Sequence, residues 1–170
     1  MATSFTQRII GAATLDVRTY EEIEHDRNAT GQAAGVVAIA AAASAIGALG
    51  PAGGSLIGGT ITAFVGWAVW AGITLAIGSW LFGGTADLGE MLRTLGFANA
   101  PGILYIFGFL PFLGGLIGLV VLPWMLACGV VAIRQALDFS TGKAIATALI
   151  GLLPYIAARA ILSGLTFGLL

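Results

Sequence analysis

Hydrophobic and polar positions divide the chain into long apolar stretches that are separated by short charged patches. A helix that crosses a bilayer needs about 20 apolar residues, and several uncharged stretches reach that length. The stretch 101–133 is too long for one crossing and too short for two full ones. Pro111 and Gly114-Gly115 give it a place to bend, so we interpret it as a hairpin of two spans, with a re-entrant segment as the alternative. The predicted spans are 32–50, 56–82, 101–114, 115–134 and 144–169.

The segment before the first span, residues 1–31, shows a helical pattern. Phe5, Ile9 and Ala13 recur every fourth residue, which predicts a short amphipathic helix that lies on the membrane. Thr19 and Glu22 have the spacing of a capping box, which predicts the start of a second helix. We expect that acidic second helix to continue into the first span.

A second amphipathic pattern lies between the second and third spans. Its apolar residues follow the i, i+3, i+4, i+7 spacing of one helix face, while Asp87, Glu90 and Arg93 fall largely off that face. The pattern predicts an interfacial helix that leads into the third span through Pro101. The apolar residues are Leu88, Met91, Leu92 and Leu95.

Composition supports a membrane protein. Only 9% of the 170 residues are charged, against about a quarter in soluble domains, and the mean hydropathy is +1.00. The predicted fold class is therefore all-α: a polytopic five-span helical bundle (32–170) with interfacial amphipathic helices on its cytoplasmic side, preceded by a cytoplasmic amphipathic segment (1–31).

The distribution of cations predicts the orientation. With five spans and a cytoplasmic N-terminus, six of the seven Lys and Arg residues fall on the cytoplasmic side, which agrees with the positive-inside rule. The C-terminus is then outside. We expect a bacterial inner (plasma) membrane, or an endomembrane if the source is eukaryotic. The six cations are Arg8, Arg18, Arg27, Arg93, Arg134 and Lys143.

The remaining candidate residues do not form a reactive set. We find no paired carboxylates, zinc-ligand spacing or nucleophile with a base, so we predict no enzyme, catalytic residue, metal or cofactor. A net charge of -1 without a block of like charge gives no reason to expect a nucleic-acid partner. Cys128 stands alone in an apolar run and is interpreted as a buried thiol.

Arg159 is the only ionisable residue inside an apolar stretch. An intramembrane charge is by default a functional-site hypothesis. The alternative is that Arg159 reaches the outer interface, where it anchors the helix or caps backbone carbonyls. Both interpretations stay open from the sequence.

Two segments of the chain resemble a known family. They are the stretch from Gly83-Gly84 through Leu92–Phe97 to Pro101 and Pro111, and the stretch Arg134–Ala144 that leads into the last span. Both are similar to the Yip (Ypt/Rab-interacting) family of membrane proteins, especially its short bacterial members. The resemblance implies five spans, a cytoplasmic N-terminus and no catalytic set. Eukaryotic relatives act in traffic between endoplasmic reticulum and Golgi and associate with Rab GTPases, but the long cytoplasmic region of those relatives has no counterpart in this sequence.

Three functions follow as hypotheses. The first is a non-enzymatic membrane scaffold or adaptor that binds a protein partner at its cytoplasmic face or shapes the bilayer. The second is a small accessory subunit of a larger energy-transducing or photosynthetic membrane complex. The third is a transporter or channel, based on Arg159 and the prolines within the spans. The candidate partner surface consists of Glu21, Glu22, Glu24, Asp26, Leu88, Leu92 and Arg93.

Overall fold

The computed structural model of the chain describes residues 3–48, 56–110 and 113–168. Every regular element in these ranges is helical. Seven of them are α-helices, and the eighth is a 3₁₀ helix between α5 and α6. Their bounds are α1 Phe5–Ala13, α2 Val17–His25, α3 Ala29–Gly47, α4 Leu56–Phe82, α5 Leu88–Phe97, the 3₁₀ helix Ala100–Phe109, α6 Leu113–Ala136 and α7 Thr141–Gly168.

Four of the described helices, α3, α4, α6 and α7, are long and apolar enough to cross a membrane. The shortest, α3, has 19 residues and extends about 28 Å at 1.5 Å per residue, close to the thickness of the hydrocarbon layer. The region of the predicted third span instead holds the ten-residue 3₁₀ helix Ala100–Phe109. Pro101 occupies its first turn, where a missing N–H costs nothing.

The 3₁₀ helix packs along α3 through small residues at a regular spacing. A Cβ placed on Gly102 would lie 3.2 Å from Cβ of Ala40, and one placed on Gly108 would lie 3.2 Å from the carbonyl oxygen of Gly47. The step from Ala40 to Gly47 is seven residues of an α-helix, and the step from Gly102 to Gly108 is six residues of a 3₁₀ helix. Each step makes about two turns. Because Gly102 faces Ala40 and Gly108 faces Gly47, the two helices advance in the same direction and stay in register.

Helices α4 and α7 form a second, antiparallel pair. Lys143 Nζ at the start of α7 donates to the carbonyl oxygen of Phe82 at the end of α4, over 3.2 Å. Further along the pair, the rings of Trp70 and Tyr155 meet edge to face with centroids 5.1 Å apart. These contacts hold the two longest helices side by side.

The N-terminal helices pack on the rest of the protein and do not form a separate layer. The apolar face of α1, made by Phe5, Ile9 and Ala13, lies against the buried core, and the Phe5 ring meets the Phe97 ring at 6.3 Å. On α5, Met91 and Leu95 are buried. The faces that the sequence predicts for a membrane surface are therefore largely occupied by protein. We call this end of the molecule the cap: α1, α2, α5 and the adjoining ends of α3, α4, α6 and α7.

The prediction that the acidic helix continues into the first span is wrong. Helix α2 ends at His25 and α3 begins at Ala29. The Asp26 carboxylate accepts the backbone N–H of Asn28 at 2.9 Å, a local turn that competes with helix continuation. At the other end of α2, the predicted N-cap Thr19 is also wrong. The N-cap is Asp16, whose carboxylate accepts the backbone N–H of Arg18.

Candidate functional site

Arg8 ties the three N-terminal helices together at the centre of the cap. Its guanidinium is buried and donates to Glu22 Oε1 at 2.7 Å, to Asp26 Oδ2 at 2.8 Å and to Gln32 Oε1 at 3.1 Å. Burial alone would lower the pKa of Arg8, but hydrogen bonds and charge from both carboxylates raise it overall. The pKa of Glu22 is lowered, first by the Thr3 hydroxyl and then by Arg8. The arrangement fixes the angle between α1, α2 and α3.

Arg93 performs a similar task between α5 and α2. Its side chain is buried and donates two hydrogen bonds, of 3.0 and 2.6 Å, to the carbonyl oxygen of Glu24. That carbonyl lies in the last turn of α2, where backbone oxygens lack helical partners and a cation is favourable. Arg93 therefore caps α2 and holds α5 against it.

Helix α6 holds the C-terminal end of α1. Trp124 Nε1 donates to the carbonyl oxygen of Ala13 at 2.6 Å. The carbonyl oxygen of Ala12 accepts from the Tyr20 hydroxyl at 3.2 Å and from the Cys128 thiol at 3.5 Å. Cys128 is buried and free, as the sequence predicts. These bonds satisfy the last carbonyls of α1 and join the cap to a spanning helix.

Carboxylates from three parts of the chain gather beside α2. The pKa of Glu24 is raised to about 7, first by burial and then by the negative charges of Asp138, Glu90 and Glu21, while the charge of His25 opposes the rise. The pKa of His25 is raised, first by its hydrogen bond to the carbonyl oxygen of Glu21 and then by the charge of Glu24. We call the set Glu21, Glu24, Glu90 and Asp138 the acidic patch.

The members of the predicted partner surface have different environments. Glu21 is exposed, and Leu88 is 49% exposed. Leu92 is partly buried, and its carbonyl oxygen accepts a hydrogen bond of 3.1 Å from Trp67 Nε1. The other four members are engaged in the contacts that build the cap: Glu22 and Asp26 bind Arg8, Glu24 is buried, and Arg93 caps α2. Arg159 lies in α7, and its side chain is outside the described part of the structure.

The sequence did not single out Glu90 or Asp138 as site residues. Glu90 completes the capping box of α5 with Asp87, a local role that its position predicts. Asp138 has a positive φ of 54° in the turn between α6 and α7, and aspartate is among the few residues that accept this conformation. Only the packing of α5 and this turn against α2 brings them to Glu24. In the described ranges, no group of His, Cys, Asp and Glu has an arrangement that would hold a metal.

The fold and the cap together define an integral membrane protein of the all-helical class, with a polar end built from short helices. The Yip1 domain family model matches residues 16–162. The chain therefore belongs to the Yip family. Comparisons with curated proteins and with solved structures give no match.

Proposed function

We propose that the protein is a non-enzymatic membrane scaffold or adaptor that binds a basic segment of a protein partner at the acidic patch. The observation that carries the proposal is the convergence of Glu21, Glu90 and Asp138, from three elements, around the buried Glu24. Complementary charge gives an interface its orientation and its association rate. The cap presents this charge on a surface that Arg8 and Arg93 hold in place.

The proposal includes five crossings of the membrane. The 3₁₀ helix follows α3 as far as Gly47, the last residue of that helix, so it reaches the same depth. A 3₁₀ helix rises about 2.0 Å per residue, and ten residues therefore extend about 20 Å. In our proposal it completes the third crossing together with the neighbouring residues, and α6 returns the chain to the cap. Because the cations cluster at the cap end, the proposal follows the positive-inside rule and has the cap in the cytoplasm and the C-terminus outside, in a bacterial inner membrane or an endomembrane.

A few exposed apolar side chains allow the cap to contact the membrane surface. Ile10 on α1 is 58% exposed, Leu88 at the start of α5 is 49% exposed, and Trp80 near the end of α4 is 84% exposed. Tryptophan is enriched at the boundary between lipid and water. We infer that these side chains seat the cap on the bilayer surface while the acidic patch stays in water.

Neutralising the patch tests partner binding. In Glu21→Gln with Asp138→Asn, two carboxylates of the patch become amides of nearly the same shape. In the matched control, Asp16→Asn with Asp87→Asn, two carboxylates at helix N-caps are replaced by asparagine, which caps equally well. Affinity capture from native membranes in mild detergent, with quantitative mass spectrometry, compares both with the wild type.

A soluble partner that is captured by the wild type and the control, and lost from the patch variant, supports the adaptor function. Because exposed charges are screened by salt, the association should also weaken as ionic strength rises. Equal capture by both variants would contradict the proposal. A stoichiometric integral partner retained by every variant would instead favour an accessory subunit of a larger complex.

A further inference from the structure

The spanning elements enclose a cavity of about 380 Å³ that the adaptor function does not use. Its lining comes from α3, α4, α5, the 3₁₀ helix, α6 and α7. The volume lies in the range of small-molecule sites in proteins, about 300–1,000 Å³. Leu126 of α6 and Leu152 of α7 line it while 54% and 38% exposed, so the cavity is open between spanning helices. In a bilayer such an opening faces hydrocarbon.

Several polar side chains on the cavity wall lack a partner within the described residues. Trp70, Tyr105, Tyr155 and Ser44 line the cavity, and none of their side-chain N–H or O–H groups makes a hydrogen bond in that part of the chain. The unpaired atoms of Trp70, Tyr105 and Tyr155 are not sealed off, because no fully buried side-chain nitrogen or oxygen of these partly buried residues is unpaired. The groups therefore face open space.

The chemistry of these groups restricts the ligand. Hydroxyls donate as well as accept, but an indole N–H only donates, so a ligand that satisfies Trp70 must present a hydrogen-bond acceptor, such as a carbonyl oxygen. Among the lining residues that the structure describes there is no Asp, Glu, Lys, Arg or His, so no described group of the wall would compensate a charge. Apart from Asn99, the remaining wall is aromatic and aliphatic and suits an apolar chain or ring.

We propose that the cavity binds a neutral lipid through a carbonyl oxygen, which accepts hydrogen bonds from Trp70 and Tyr155 while its apolar part lies among the spanning helices. The two rings meet edge to face with centroids 5.1 Å apart, so a donor-bearing side chain of α4 and one of α7 lie next to each other on the cavity wall. An acylglycerol ester and an isoprenoid quinone both present this chemistry. The proposal is independent of the acidic patch.

A larger side chain at Gly129 would fill part of the cavity without displacing the residues that line it. It lines the cavity, and a Cβ placed there would meet no atom within 4 Å. The substitution Gly129→Leu therefore fills open space. Gly118 on the same helix is a matched control, because its Cβ would also meet nothing within 4 Å and it does not line the cavity.

The test adds three probes separately to the purified full chain in detergent micelles: dioleoylglycerol, decylubiquinone and hexadecane. The readouts are thermal stabilisation and tryptophan fluorescence. We expect one carbonyl probe to act saturably, and its identity distinguishes the ester from the quinone. Binding should weaken about tenfold in Gly129→Leu and in Trp70→Phe with Tyr155→Phe, and stay unchanged in Gly118→Leu.

Three outcomes would overturn the proposal. They are no saturable effect of either carbonyl probe on the wild type, an equal effect of hexadecane, and an equal loss in Gly118→Leu. The double phenylalanine variant keeps an aromatic ring at each position and removes the N–H and the O–H, so it reports on the hydrogen bonds even if Gly129→Leu folds poorly.

Discussion

The cap and the contact between α3 and the 3₁₀ helix are two regions of one molecule that are held together in different ways. In the cap, buried Arg8 and Arg93 join helices through directed hydrogen bonds. Along α3, the contact is made by Ala40, Gly47 and the glycines that face them, without a charged group.

The difference follows from the solvent of each region. Water drives apolar helices together, but lipid tails are as apolar as the helices, so association in a bilayer depends on close packing. Small residues permit that packing because the backbones approach each other. At the cap, short helices with carboxylates and arginines gain more from charge-assisted hydrogen bonds. The two regions should therefore respond to different substitutions.

Adding one methyl group to the α3 contact should have the largest effect. In Gly47→Ala, the new Cβ would overlap the backbone carbonyl oxygen of Tyr105, which cannot rotate away. We expect a loss of at least about 3 kcal/mol in unfolding free energy, the upper end of the usual overpacking range. Unfolding of the protein in mixed micelles titrated with SDS measures it.

Gly72→Ala is the control for that substitution. Gly72 lies within α4, and its Cβ would meet no atom within 4 Å. The change should stabilise the helix by about 0.5–1 kcal/mol, since alanine is the better helix former. Equal destabilisation by both substitutions would contradict the close-packing account.

Removing the Arg8 guanidinium should have the second largest effect. Breaking a buried ion pair costs about 3–5 kcal/mol. Glu22 and Asp26 are 36% and 29% exposed, so water recovers part of that loss, and we expect about 2 kcal/mol for Arg8→Met by the same titration. Arg18→Met, on the exposed face of α2, should change stability by less than about 0.5 kcal/mol. A similar loss in both variants would mean that the ion pair does not hold the cap.

The effect of the third substitution, Glu24→Gln, on stability should depend on pH. The folded-state pKa of Glu24 is about 7, raised from 4.5, so the folded chain binds more protons than the unfolded chain between these values. Stability therefore falls as pH rises through this window. The pKa shift sets an upper limit of about 3 kcal/mol on the unfolding free energy that the wild type loses. We expect Glu24→Gln to recover about 1 kcal/mol of it, because the amide is also buried.

Thermal unfolding in micelles checks the Glu24→Gln prediction. It is measured from about pH 5 to about pH 8, a range that includes the folded-state pKa of Glu24. The variant should gain stability relative to the wild type as pH rises, and the difference should level off above the pKa of Glu24. His25, whose pKa is also raised, contributes a decline of the same sign in both proteins. Parallel curves for wild type and variant would contradict a buried carboxylate that titrates near neutrality.

The smallest effect should come from Gly102→Ala. Its Cβ would lie 3.2 Å from Cβ of Ala40 and 3.4 Å from the sulfur of Met125, a flexible side chain. We expect a loss of about 0.5–1 kcal/mol in the SDS titration. A loss as large as that of Gly47→Ala would show that the backbone contact at Tyr105 is not what makes Gly47 special.

The apolar helices were predictable because their signal is local. Uncharged stretches of the required length indicate spans without any knowledge of neighbours, and at four of the five predicted places the structure has a helix long and apolar enough to cross a membrane. The 3₁₀ conformation of Ala100–Phe109 was not predictable, because composition alone does not show that Gly102 and Gly108 face α3.

The candidate site depended on long-range packing to a greater degree. Arg8, Glu22 and Asp26 look like separate surface charges in the sequence, and only the fold of α1 onto α2 pairs them. Asp138 reaches the acidic patch from a position more than a hundred residues after Glu24. Periodicity identified Leu88 and Leu92 as one face of a helix, but whether that face meets lipid, a partner or the protein itself depends on what packs beside it.

The most direct test of the account is the side of the membrane on which each end of the bundle lies. Single cysteines are placed in a Cys128→Ala background and labelled with a membrane-impermeant maleimide in intact cells and in inside-out vesicles. Glu21→Cys and Asp87→Cys report on the cap. Ala48→Cys, after α3, and Leu113→Cys, after the 3₁₀ helix, report on the opposite end.

We predict that the two cap positions react only in inside-out vesicles, and that Ala48→Cys and Leu113→Cys react only in intact cells. Reaction of Leu113→Cys from the same side as Asp87→Cys would contradict the five-crossing account, because the 3₁₀ helix would then fail to carry the chain across.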